Sequence, residues 1–120
     1  MDKPKLNKVN IRKWVKALRS GKYRQGRGSL KWDGRYCCLG VACVVAGVAI
    51  MENDISFGEH PEMYQWLGLE HRWDGDIELT DNLSATIAND DNGWSFKRIA
   101  TALEKRYLTP AKKAKKRAVR

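Results

Sequence analysis

An α+β domain of roughly four helices packed around a small antiparallel β element is the fold that this chain's patterning predicts. Three observations carry it. Apolar residues fall at helical spacing near both ends, at Ile11, Trp14, Val15 and Leu18 and again at Phe96, Ile99, Ala100 and Leu103. Between them, residues 38–48 are nearly all small and apolar, a run longer than an ordinary buried strand. Asp33 and Gly34 stand between Trp32 and Tyr36, a dipeptide suited to the positive φ angles of a two-residue hairpin.

The elements follow in order. Residues 1–9 are polar and expected to be loosely ordered, ahead of one globular domain over 10–108. Asn10 can cap a helix over 11–20, with Gly21 ending it in a left-handed turn. Residues 22–28 hold Gly and Gln breaks with no apolar period, so they read as loop. The hairpin over 30–36 comes next. Its "KWDGRY" at 31–36 is echoed by "RWDGDI" at 72–77, which suggests two short ribbons in one sheet. Residues 38–48 are expected to be the central buried helix, with the 11–20 and 96–107 helices packed on it. Residues 51–61 are loop. Pro61 can open a short helix ending near Gly68, with Met63, Trp66 and Leu67 inward. Ile77 and Leu79 alternate with acids, a strand with one wet face. Thr80 or Asp81 can cap a short helix with Leu83, Ile87 and Ala88 inward, and "NDDNG" at 89–93 reads as a turn. Ser95 caps the last helix, Trp94 can staple onto Ile99, and the helix ends at 107–108. The last segment, 109–120, carries six Lys or Arg in its final ten residues and is expected to be a basic disordered tail.

Charge is laid out in blocks. The net charge of +9 divides into +10 over residues 1–36, −10 over 37–94 and +9 over 95–120. Such a chain either balances its ends against its middle or presents a positive face to a phosphate-bearing partner. Three Cys, two of them adjacent at 37 and 38, point to reduced thiols and a cytosolic protein. No secretory signal is legible at the start, and the longest apolar run is too short to cross a bilayer.

The densest stretch is "RSGKYRQGRGSLKWDGRYCCLG" at 19–40. Arg19, Lys22, Arg24, Arg27, Lys31 and Arg35 lie around Gly21, Gly26 and Gly28. Glycine frees backbone N–H groups to face an anion, and arginine offers a two-pronged fork to phosphate. Tyr23 and Trp32 can stack on a base. The bland alternative is a solvated basic loop paired with the acidic middle of the chain. Neither the GxxxxGK[ST] phosphate loop nor a complete GxGxxG is present. Cys37, Cys38 and Cys43 lack the paired spacing of a zinc site and read as core thiols. His60 and His71 each follow a Glu, without a second group to complete acid–base chemistry. Asp74, Asp76, Glu78 and Asp81 read as a solvated sheet face or as partners for the basic loop. We therefore expect no catalytic residues, no metal and no cofactor.

The segments "WVKALRSGKYRQGRGSL", "YCCLGVAC", "YQWLGL" and "LTDNLSATIANDDNGWSFKRIATALEKRYL" together resemble a family of small accessory proteins encoded by tailed bacteriophages. The resemblance spans most of residues 14–108. The basic run after Pro110 departs from the family's common pattern. What the resemblance implies is a viral protein made in the host cytosol; it implies no catalytic residues. The function expected on these grounds is non-catalytic binding of a phosphate-bearing ligand, foremost as a counter-defence sponge for a signalling nucleotide. Nucleic-acid binding and docking on a host protein are the alternatives, and self-association is open. No membrane partner is expected.

Overall fold

A computed structural model describes residues 7–52, 60, 62–68, 77–80 and 83–108. The "RWDGDI" echo up to residue 76, the acids Asp74, Asp76 and Asp81, His71, residues 1–6 and the basic run 109–120 lie outside the described residues. Within them the chain is α+β, as expected, with five α-helices. None of these helices is long and apolar enough to cross a membrane.

α1 spans Lys8–Arg19 and buries the predicted face of Ile11, Trp14, Val15 and Leu18. It begins three residues earlier than the 11–20 expected, so it takes in two residues of the segment expected to be loose. The cap is Asn7, whose side chain accepts from the Asn10 N–H, and not Asn10. The reason is tertiary. The Asn10 amide donates to the Trp66 carbonyl at 2.8 Å, and the Asn7 N–H donates to that of Leu67 at 2.8 Å. These are the orphan carbonyls at the end of α3, Glu62–Leu67, so one helix start satisfies another helix end. Met63 and Leu67 of α3 are fully buried and Trp66 is half-buried, as their spacing predicts.

α2 spans Cys38–Ala46, two residues shorter than the 38–48 expected. Six consecutive residues, Cys38 to Cys43, are buried, so over this stretch the helix has no solvent face and forms the centre of the core. Val44, Val45 and Ala46 are only half-buried. Gly47, at φ 81°, closes the helix: its N–H and that of Val48 turn back to the carbonyls of Val44 and Cys43. α1 packs on α2 and on α5, and the Trp14 indole N–H donates to the Cys38 carbonyl at 2.9 Å inside the interface. All three cysteines are buried and none is in a disulfide. Burial pushes the Cys37 thiol up to about 11, so it stays protonated and unreactive at neutral pH.

α4, Ala85–Asp90, and α5, Phe96–Leu103, complete the helices; α5 runs on into a wider π-type turn over Glu104–Leu108. Ser95 caps α5 by accepting from the Arg98 N–H. The cap of α4 is Ser84, not Thr80 or Asp81, because Leu83 and Ser84 form a strand first. Ile87, expected inward, is 45% exposed; the buried face is Ala85, Ala88 and Asn89.

Among the described residues the β structure is two small sheets, not one. β1 (Arg24–Gln25), β2 (Lys31–Trp32) and β3 (Arg35–Tyr36) form the first, ordered β1-β3-β2. β2 and β3 are the predicted antiparallel hairpin, with Asp33 and Gly34 at φ 54° and 75°. β1, expected as loop, pairs parallel with β3, a departure from a purely antiparallel element. β4 (Glu78–Thr80) pairs antiparallel with β5 (Leu83–Ser84), with Ile77 and Leu79 buried and Glu78 exposed.

Candidate functional site

The register of the first sheet sorts its six residues into two rows. Arg24 lies opposite Arg35, and Arg35 opposite Trp32. Paired residues project from the same face of a sheet. Arg24, Arg35 and Trp32 therefore stand side by side, and all three are exposed. The other row, Gln25, Tyr36 and Lys31, is half-buried on the opposite face.

The loop between β1 and β2 folds beside the outer row and closes a cavity of about 260 Å³. Gln25, Gly26, Arg27, Ser29, Trp32 and Arg35 line it. Gly26 is required here: a Cβ on it would come within 2.9 Å of the Arg35 Cβ. The Arg27 guanidinium lies against Gly93, with Nη2 3.1 Å from where a Cβ on that residue would sit.

Two features set this surface apart. Arg24 and Arg35 are like charges in register on neighbouring strands, an arrangement that destabilises a sheet. Neither they nor Lys22 or Arg27 make a side-chain hydrogen bond or ion pair among the described residues. Trp32 is 55% exposed and, unlike its neighbours, has no ring or cation contact among the described residues. Tyr36 has the Lys31 ammonium 5.9 Å from its centroid, and Trp94 has the Arg98 guanidinium at 4.0 Å.

Of the eight residues singled out from sequence, the fold brings together Arg27, Trp32 and Arg35, with Arg24 beside them. It does not bring the others. Arg19 reaches α5 instead, donating to Thr101 Oγ1 at 3.1 Å and to Glu104 Oε1 at 3.0 Å. That guanidinium holds the Glu104 carboxyl below its usual range. Tyr23 packs edge-on against Tyr36 on the inner face, centroids 5.7 Å apart. Lys31 lies over Tyr36 in the inner row, and Lys22 is exposed ahead of β1, outside the cavity lining. Glu78, expected on a solvated sheet face or as a partner for the basic loop, is exposed and pairs with Arg106 at 2.9 Å. Among the described residues no three of His, Cys, Asp and Glu converge as metal ligands.

One residue that positions the cavity escapes a reading of the sequence. Asn89 sits in "NDDNG", which reads as a turn, yet it is the one fully buried polar side chain among the described residues. Its Oδ1 accepts from Gln25 Nε2 at 2.7 Å, and its Nδ2 donates to the Gly26 carbonyl at 2.8 Å. Gln25 Nε2 also donates to the Trp94 carbonyl at 2.8 Å. Asn89 thus ties the cavity wall to α4. Asn89→Ala should leave the Gly26 carbonyl without that donor, cost about 1–2 kcal/mol of stability in urea unfolding, and loosen the cavity. An unchanged unfolding midpoint would show that the network does not hold β1.

Neither curated proteins nor solved structures yield a match to this chain. The profile of one family, described as "Domain of unknown function (DUF8296)", matches residues 6–73, more than half of the chain. That span takes in α1, the first sheet, α2 and α3, and so every residue lining the cavity, while Asn89 and α5 lie beyond it. The chain belongs to the DUF8296 family.

Proposed function

We propose that this protein binds a phosphate-bearing nucleotide without transforming it, with phosphate on Arg24, Arg27 and Arg35 and the base on Trp32. The observation that supports the reading is the outer row, Arg24–Arg35–Trp32, in which two guanidiniums without an ion pair among the described residues share one face with an exposed indole. Arginine forks suit phosphate oxygens, and an exposed ring suits any base. A cavity of about 260 Å³ is smaller than the roughly 300–1,000 Å³ that encloses a whole drug-sized ligand. It suits one phosphate-sized group, with the remainder of the ligand lying across the open sheet face. Its lining offers no carboxylate or imidazole to move a proton, which favours holding over turnover. In a phage-infected cytosol, a protein of this kind would act as a sponge that sequesters a signalling nucleotide as part of counter-defence.

Calorimetric titration with mononucleotides, cyclic dinucleotides and the matching unphosphorylated nucleosides tests the reading. Saturable binding of at least one phosphate-bearing ligand is expected, with the nucleoside at least tenfold weaker and the ligand recovered intact by mass spectrometry. Equal binding of nucleoside and nucleotide, or hydrolysis of the ligand, would overturn it.

A further inference from the structure

The three guanidiniums of the outer face are not equivalent. Arg27 and Arg35 line the cavity, whereas Arg24 stands in the same row as Arg35 but outside that lining. A phosphate seated in the cavity therefore meets Arg27 and Arg35 and leaves Arg24 to another group. Arg24 is exposed and makes no side-chain hydrogen bond, ion pair or ring contact among the described residues.

The row also has an order. The strands run β1-β3-β2, so Arg35 stands between Arg24 and Trp32. Neighbouring strands lie about 4.8 Å apart, which spaces the backbones of Arg24 and Trp32 by about 10 Å across the row. Ring, cation, cation is the order in which a nucleotide with a linear run of phosphates presents its groups: base, first phosphate, second phosphate. Trp32 and Arg35 both line the cavity, so the first phosphate belongs there and the second belongs to Arg24.

Charge points the same way. One phosphate monoester carries about −1.5 to −2 at neutral pH. Three guanidiniums exceed that, and no carboxylate lines the cavity to balance the remainder. A second phosphate supplies the missing charge. The loop adds neutral donors. The N–H groups of the consecutive residues Arg27, Gly28 and Ser29 donate to no acceptor among the described residues, and Gly28 sits at φ 83°. A turn through the left-handed region is one way in which backbone N–H groups form a concavity for an anion.

We infer that the ligand class of this face is a nucleoside di- or triphosphate, its first phosphate in the cavity between Arg27 and Arg35 and its second on Arg24. The inference rests on the nucleotide reading and narrows it. A linear phosphate chain matches the row, whereas a cyclic dinucleotide holds its phosphates apart with two sugars.

The test is calorimetric titration of the full chain with adenosine, its monophosphate and its diphosphate, without divalent cations. The diphosphate should bind about tenfold tighter than the monophosphate. Arg24→Ala should remove that increment and leave the monophosphate at the parent's affinity. Its melting temperature should hold or rise, since Arg24 and Arg35 are like charges in register. Lys13→Ala, which removes an exposed charge from α1, should keep the increment and so separates a placed cation from net charge. A diphosphate no tighter than the monophosphate overturns the inference. So does an Arg24→Ala protein that loses both ligands alike, or loss of the increment in Lys13→Ala. In each case the nucleotide reading survives if the parent binds the monophosphate more tightly than adenosine, and falls as well if it binds the two alike.

Discussion

Gly40→Ala is expected to destabilise the fold by about 2 kcal/mol, a fall of roughly 10 °C in melting temperature for a chain this size. Helix propensity argues the opposite way. In the interior of a helix, alanine is worth about 1 kcal/mol over glycine. Gly40 lies in the first turn of α2, and a Cβ there would collide with the Leu30 carbonyl oxygen, with the Leu30 carbonyl carbon at 2.8 Å and Cα at 3.3 Å. These are backbone atoms, and no rotamer change can move them aside. Overpacking against yielding side chains costs about 1–3 kcal/mol, and a backbone obstacle puts this site at the upper end or beyond. Strain therefore exceeds propensity. Leu30 is buried and leads directly into β2, so a shift there also carries Trp32 away from Arg35. Gly47→Ala is the natural comparison: its φ of 81° disfavours alanine by about 1 kcal/mol, with open space around it. Urea unfolding should rank parent, Gly47→Ala, Gly40→Ala in falling order. A Gly40→Ala protein as stable as the parent would mean that α2 and the hairpin can separate at little cost.

The same contact shows what was legible beforehand. Helices α1, α2 and α5 were visible because each writes a local pattern: an apolar stripe, an unbroken apolar run, or a Ser cap ahead of a stripe. The β2–β3 hairpin was visible because Asp33 and Gly34 fix a turn locally. What escaped was decided across the chain. Asn7 rather than Asn10 caps α1 because Trp66 and Leu67 present carbonyls to it, more than fifty residues away. β1 is two residues long in a glycine-rich loop with no apolar period. Its parallel register depends on Gly26 closing against Arg35 and on Asn89 holding Gln25, neither of which a local pattern can announce. The composition of the 19–35 stretch singled out its cations without saying which of them the fold would bring together. Arg19 belongs to a helix face that finds Glu104, whereas Arg24 and Arg35 are joined by that unforeseen strand pairing.

Arg27→Ala with Arg35→Ala should weaken nucleotide binding more than a hundredfold while leaving the fold as stable as the parent or slightly more so. A charge-assisted hydrogen bond contributes about 1.5–3 kcal/mol, and the lower end applies to guanidiniums as exposed as these. Two such losses amount to about 3 kcal/mol, and each 1.4 kcal/mol is a factor of ten in affinity. The stability arm has the opposite sign from a structural role. Arg35 faces Arg24 in register, and removing one of two like charges on neighbouring strands should return a few tenths of a kcal/mol. Replacing both residues with lysine keeps the charge but loses the planar fork, so binding should fall between parent and double alanine. Trp32→Ala should cost about 1–3 kcal/mol of affinity if a base stacks there. The decisive measurement pairs a ligand titration with a thermal melt on the same samples. Loss of stability with unchanged affinity would make these arginines part of the scaffold, and the sheet face would then have no claim on a ligand. Loss of affinity with stability held or raised is the signature of residues kept for binding at the expense of folding.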